Sequence, residues 1–184
     1  MAAIDRKPGI RPRVTLGRRL DIAARRAFPV GCTVLLMLAC ETPFGFEDQA
    51  VLLPASTLGC VYFWTLFRPS AMPPPAVFLI GLLLDLLGYL PIGVGVLTLL
   101  AVHGVTIRWR RVLTRQRFVW VWCAFGVLAT GAAVVTWAFD CLLSVRLLPL
   151  APALFEAVLA IALYPAIAIL FARAHRGVAD PERA

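Results

Sequence analysis

Pro74 to Gly104 reads PPAVFLIGLLLDLLGYLPIGVGVLTLLAVHG, apolar almost throughout, with one carboxylate at Asp85 and a break of small or helix-breaking residues at Gly88, Pro91, Gly93 and Gly95. Continued to Ile107 as one helix, the run would be about 51 Å long at about 1.5 Å per residue. That overshoots a hydrocarbon core of about 30 Å. Pro91 cannot donate a backbone hydrogen bond inside a helix, and the neighbouring glycines lower helix propensity. The stretch therefore predicts a hairpin of two short spans turning at Tyr89 to Gly93, each arm roughly 25 Å long. Arms of that length call for a locally thinned bilayer or shielding by neighbouring helices.

Composition sets the class around this hairpin. Hydrophobic residues make up 61% of the 184 positions, and the mean hydropathy is +0.86. A water-soluble chain of this length exposes too much surface to hide that balance, so the expectation is an all-α polytopic membrane protein. Six spans are expected at about 28–40, 50–67, 74–90, 92–107, 118–141 and 153–171. They form a membrane domain over 27–172 between a basic segment, 1–26, and a polar tail, 173–184. Tyr62, Phe63, Trp64 and Phe67 at the end of the second span are expected to form an interfacial aromatic belt.

The net charge of +8 could suggest nucleic acid in a soluble protein, but its placement argues for topology instead. Arg6, Lys7, Arg11, Arg13, Arg18, Arg19, Arg25 and Arg26 precede the first span. Arg68 follows the second, and Arg108, Arg110, Arg111, Arg115 and Arg117 form an expected basic loop after the fourth. With six spans and the N-terminus inside, every basic residue except Arg146 falls on the cytoplasmic side, as the positive-inside rule demands. An odd number of spans would put one basic terminal segment outside. From Leu16 onward the arginines share one side of a helix and Leu16, Leu20, Ala23 and Ala27 the other, which suits a basic helix resting on anionic lipid headgroups or a solvated tail that fixes orientation.

Asp85 is the main chemical anomaly. An acid within a span costs roughly 2.5 to 3.5 kcal/mol at the bilayer centre and should face protein or water with a partner. Gly81, Asp85 and Gly88 share one helix face, which lets another helix approach the carboxylate. Arg146 or backbone and hydroxyl donors are the candidate partners in a structural role. A relay or ion-binding role would need polar residues crossing the membrane, and only His103 is an ionisable candidate in the inner halves of the spans. Asp140 and Glu156 fall at the same outer level as Asp85 and Arg146, so Asp140, Arg146 and Glu156 form an expected periplasmic-side polar cluster. Glu156 is expected in the first turns of its helix, where a negative charge suits the helix dipole.

Enzyme chemistry finds no support in the motifs: GxSxG, HExxH and P-loop patterns are absent, and no serine has a neighbouring histidine. The five cysteines include no CxxC pair and no zinc spacing, so no catalytic residue, cofactor or metal is expected.

Phe78 to Arg111, FLIGLLLDLLGYLPIGVGVLTLLAVHGVTIRWRR, resembles the central signature of the rod shape-determining membrane protein family MreD. That pattern is an apolar span with Gly, three residues and Asp, then a turn with Pro-x-Gly, here Gly81, Asp85, Gly88, Pro91 and Gly93. The flanks FVWVWCAFGVLATGAAVVTWAF and LLPLAPALFEAVLAIALYPAI resemble alphaproteobacterial members, so the likeness covers roughly residues 28–172. The arginine-rich start departs from the shorter one common in that family. The resemblance implies a non-catalytic scaffold of the bacterial inner membrane, part of the elongasome that maintains rod shape and lateral peptidoglycan synthesis. It implies direct binding to MreC and, through it, to MreB, RodA and the elongation transpeptidase. It also implies a six-helix fold similar to the substrate-binding S-component of energy-coupling-factor (ECF) transporters. The alternative reading is a vitamin-binding subunit of such a transporter, with a polar outward pocket drawn from Asp85, Asp140, Arg146 and Glu156.

Overall fold

The computed structural model describes residues 16–42, 49–88 and 91–179, which form six α-helices and one short 3-10 turn, with no strand among them. The helices are α1 (Leu16–Glu41), α2 (Gln49–Phe67), α3 (Pro74–Leu87), α4 (Val94–Leu113), α5 (Phe118–Ser144) and α6 (Ala151–Ala179). The 3-10 turn Pro69–Ala71 joins α2 to α3. Residues 1–15, much of the acidic connection after α1, Tyr89 and Leu90 at the hairpin turn, and 180–184 lie outside the described residues.

The bundle is organised around α2, which packs against α1, α4 and α6, while α3 pairs with α4 and α5 with α6. That central position corrects the expected aromatic belt. Tyr62 and Trp64 are 0% and 1% exposed, Phe63 is buried too, and only Phe67 is exposed. Tyr62 meets Phe125 at a tilt and Tyr164 edge-on, at ring-centroid distances of 5.1 and 5.5 Å. Its hydroxyl donates to the Val121 carbonyl at 3.0 Å. Trp64 packs on Phe171 at 4.9 Å. The rings fill the junction of α2, α5 and α6, where large aromatic surface stabilises most when removed from solvent or lipid. Cys60 and Cys40 are buried in the same core, Cys40 with its Sγ 3.5 Å from the Ser56 hydroxyl.

Helix ends depart from the expected spans in a consistent direction. First, α1 begins at Leu16, so the basic stretch from that residue continues into the first span as one helix. Next, α4 runs on to Leu113, which places Arg108, Arg110 and Arg111 on a helix and not in a loop. Arg and Leu are good helix formers, and Arg110 and Arg111 in the last turn complement the negative helix end. Similarly, α5 extends to Ser144 and α6 from Ala151 to Ala179, since nothing between Phe171 and Ala179 breaks a helix outright. By contrast α3 stops short at Leu87, because Gly88 turns to extended backbone (φ −79°, ψ 158°). Between α5 and α6, Val145 adopts a left-handed conformation with φ 52°, uncommon for a β-branched residue.

Among the described residues two helices are long and apolar enough to cross a membrane: Phe118–Ser144 and the Ala151–Arg173 part of α6. Only 28% and 33% of their most apolar windows are buried inside the bundle. A core helix of a soluble protein would hide such a surface. The apolar helices Ala27–Glu41, Val51–Phe67 and Pro74–Leu87 are shorter.

Candidate functional site

Asp85 is 3% exposed and lies in the last turn of α3, facing the start of α4. Its Oδ2 accepts the Gly93 N–H at 2.7 Å and the Val96 N–H at 3.3 Å, and its Oδ1 accepts the Gly95 N–H at 2.8 Å. These donors belong to the N-terminus of α4, where the first amides of any helix lack intrahelical acceptors. The residue at the N-cap position is Gly93, with no side chain to cap them. Asp85 supplies the cap from across the turn, and its negative charge meets the positive end of the α4 dipole.

Three glycines make the geometry possible. Gly93 holds φ at +105°, a conformation L residues rarely adopt. A Cβ on Gly95 would collide with the Asp85 carboxylate itself. A Cβ on Gly81 would lie 2.6 Å from Val96 Cα, so α3 and α4 meet backbone to backbone there. The helix that approaches the Gly81–Asp85 face is thus α4 of the same chain. Gly88 caps the end of α3, its N–H donating to the Leu84 carbonyl at 2.7 Å, and it belongs to the turn more than to the packed stripe. Pro91 precedes the first bond of α4, its carbonyl accepting the Val94 N–H at 3.2 Å.

The expected outer polar cluster assembles only in part. Asp140 and Glu156 come close enough for the charge of one to act on the other, and Asp140 Oδ1 is buried without a hydrogen-bond partner. Asp140 sits one turn inside α5, where its carbonyl accepts the Ser144 hydroxyl. Because α6 begins at Ala151, Glu156 lies in its second turn, beyond the reach expected of the dipole. Arg146 is exposed on the α5–α6 turn, and Asp85 spends its oxygens on α4 amides. The pairing of Arg146 with Asp85 that the sequence allows is therefore not made.

Glu156 lines a cavity of about 20 Å³ with Thr98, Thr136, Leu84 and Gly95, and the two threonine hydroxyls lie 3.4 Å apart. That space holds about one water molecule. Pockets for small organic ligands run to roughly 300 to 1,000 Å³. On the opposite half of α4, His103 is 3% exposed and its Nδ1 lies 2.9 Å from the Thr65 hydroxyl, a packed, hydrogen-bonded histidine. Among the described residues, no group of three metal-ligating side chains converges.

Two participants were not singled out from sequence. Gly95 reads there as one more small residue of the turn, although its two-residue spacing from Gly93 could have marked a backbone approach. Arg110 donates its Nε–H to the Leu66 carbonyl at 2.7 Å, covering an open carbonyl at the end of α2. Only the tertiary fold reveals that bond. Comparisons of the chain with protein-family models, with curated proteins and with solved structures return no match.

Proposed function

We propose that the chain is a six-span protein of the bacterial inner membrane, with both termini cytoplasmic, that acts as a non-catalytic scaffold. On the resemblance of its central hairpin to MreD, its direct partner is MreC, and through MreC it supports the MreB, RodA and transpeptidase assembly of lateral wall synthesis. One observation carries the non-catalytic reading: the anomalous intramembrane acid, Asp85, is saturated by three amides of its own hairpin. A carboxylate so engaged serves as a structural clamp, and its charge is offset where it would otherwise be costly in lipid. Six spans with both termini inside put every basic residue but Arg146 on one side, and the S-component-like arrangement follows from the resemblance alone.

Site-specific photocrosslinking from Ile92 in cells, combined with cysteine-accessibility labelling of the same turn, tests the proposal. Crosslinks to MreC from a periplasmic turn, with loss of rod shape on deletion, are the expected result. A cytoplasmic turn, or a vitamin-like molecule retained through purification and identified by mass spectrometry, would overturn it.

A further inference from the structure

A groove of about 200 Å³ opens on the outer surface of the α4–α5 pair, lined by Ala101, Val105, Val127, Leu128, Gly131 and Val135 among others. Its lining is apolar save for Thr98. At that end the Thr98–Thr136 hydroxyl pair pins the two helices together. Helical periodicity carries the two walls on toward the α4–α5 turn. The α4 wall continues from Val105 to Arg108 and Trp109, and the α5 wall from Val127 to Trp120, with Arg117 just beyond it at the N-cap of α5. All four of these side chains are exposed. A hydrophobic furrow therefore leads to Arg108 and Trp109 on one wall and to Trp120 and then Arg117 on the other.

The charge there is uncompensated within its own hairpin. No aspartate or glutamate occurs between Leu86 and Phe139, whereas Arg108, Arg110, Arg111, Arg115 and Arg117 all do. Arg110 is turned to the Leu66 carbonyl, and of the others Arg108 and Arg117 are the ones that continue the two furrow walls. The complementary occupant is apolar along the furrow and anionic at its mouth. Gly131, whose Cβ position has nothing within 4 Å, leaves the furrow floor open.

We propose that this groove seats one acyl chain of an anionic glycerophospholipid whose phosphate is held by Arg108 and Arg117, with Trp109 and Trp120 at the headgroup level. Arginine binds phosphate through paired N–H donors, and indoles favour that interfacial depth. The inference rests on the membrane reading above, but not on the choice of protein partner.

The test is native mass spectrometry of the full-length protein in detergent, offered equal amounts of dioleoyl phosphatidylglycerol and dioleoyl phosphatidylcholine. The wild type should retain one phosphatidylglycerol in preference to phosphatidylcholine. Arg108→Gln with Arg117→Gln should cut that preference by about 25-fold, at roughly fivefold per arginine. Gly131→Leu, which fills the furrow, should reduce retention of both lipids. A photoactivatable phosphatidylglycerol should label the wild type within 127–131, a readout that stands even if the leucine variant does not fold. Equal retention of the two lipids by the wild type, labelling elsewhere, or a dimer in place of a lipid adduct that Gly131→Leu splits would overturn the proposal. A chain that stays in the aqueous phase without detergent would refute the membrane reading as well, whereas an integral protein without headgroup preference refutes only this one.

Discussion

Replacing Asp85 by Ala removes the acceptor for three amides at the start of α4. Hydrogen bonds to a charged acceptor are worth about 1.5 to 3 kcal/mol each, and a buried amide left without a partner costs about 1 to 3 kcal/mol. The bond to Val96 is long, at 3.3 Å, and the Gly93 amide is only partly buried. Those two therefore contribute toward the lower end, while the Gly95 amide bears the larger penalty. The expected loss is about 3 to 5 kcal/mol of bundle stability. Asp85→Asn keeps one acceptor oxygen but turns an NH₂ group toward an amide donor, and should lose about half as much. The assay is reversible unfolding of the purified protein in mixed micelles by increasing SDS mole fraction, followed by tryptophan fluorescence. Hydrogen exchange of the Gly95 and Val96 amides provides a local readout. An Asp85→Ala protein within 0.5 kcal/mol of wild type, with those amides still protected, would refute the clamp and return Asp85 to a role outside the fold.

Gly95→Ala drives a methyl group into the carboxylate and should reproduce most of the Asp85→Ala loss. The double variant should be little worse than either single one, a coupling that a double-mutant cycle reads directly. Gly81→Ala forces α3 from α4 at Val96 and should cost about 1 to 3 kcal/mol. Gly131→Ala, with open space at its Cβ, should be neutral or stabilise by up to about 1 kcal/mol through helix propensity. Arg110→Ala should destabilise by about 1 to 2 kcal/mol, since it uncovers the Leu66 carbonyl. Arg111→Ala, at an exposed position, should stay within about 0.5 kcal/mol. Equal effects at 110 and 111 would show that both arginines act only through orientation.

The hairpin and its acid were legible because an apolar run containing Pro91 and one carboxylate admits few solutions: the chain must turn, and the acid must find donors. What the run alone could not say is which donors. Backbone amides, Arg146 and a neighbouring protein were all compatible with the sequence, and only the approach of Val96 to Gly81 brings the amides of α4 within reach. The aromatic end of α2 misled for a related reason. Rings at a span end suit a headgroup belt or a packed centre equally well, and the contacts of α2 with α1, α4 and α6 decide for the centre. Helix ends were underestimated where arginines follow an apolar run, as in α4. There hydropathy falls but helix propensity does not, so the membrane boundary and the helix boundary part company. Depth alone puts Arg146 in the polar cluster, and depth does not bring two side chains together.

On the six-span reading proposed above, the Asp85 clamp bears on how the chain enters a bilayer. With 14 residues, α3 spans only about 21 Å, too little to settle in hydrocarbon unaided, and it carries an ionisable group as well. Closing the turn over the ten residues from Asp85 to Gly95 joins it to α4 through a short loop, which forms quickly and at little entropic cost. The insertion machinery would then receive a paired unit whose charge is already sheathed, and a chain that cannot close this loop should stall there, exposing a half-length helix to quality-control proteases before the remaining spans arrive.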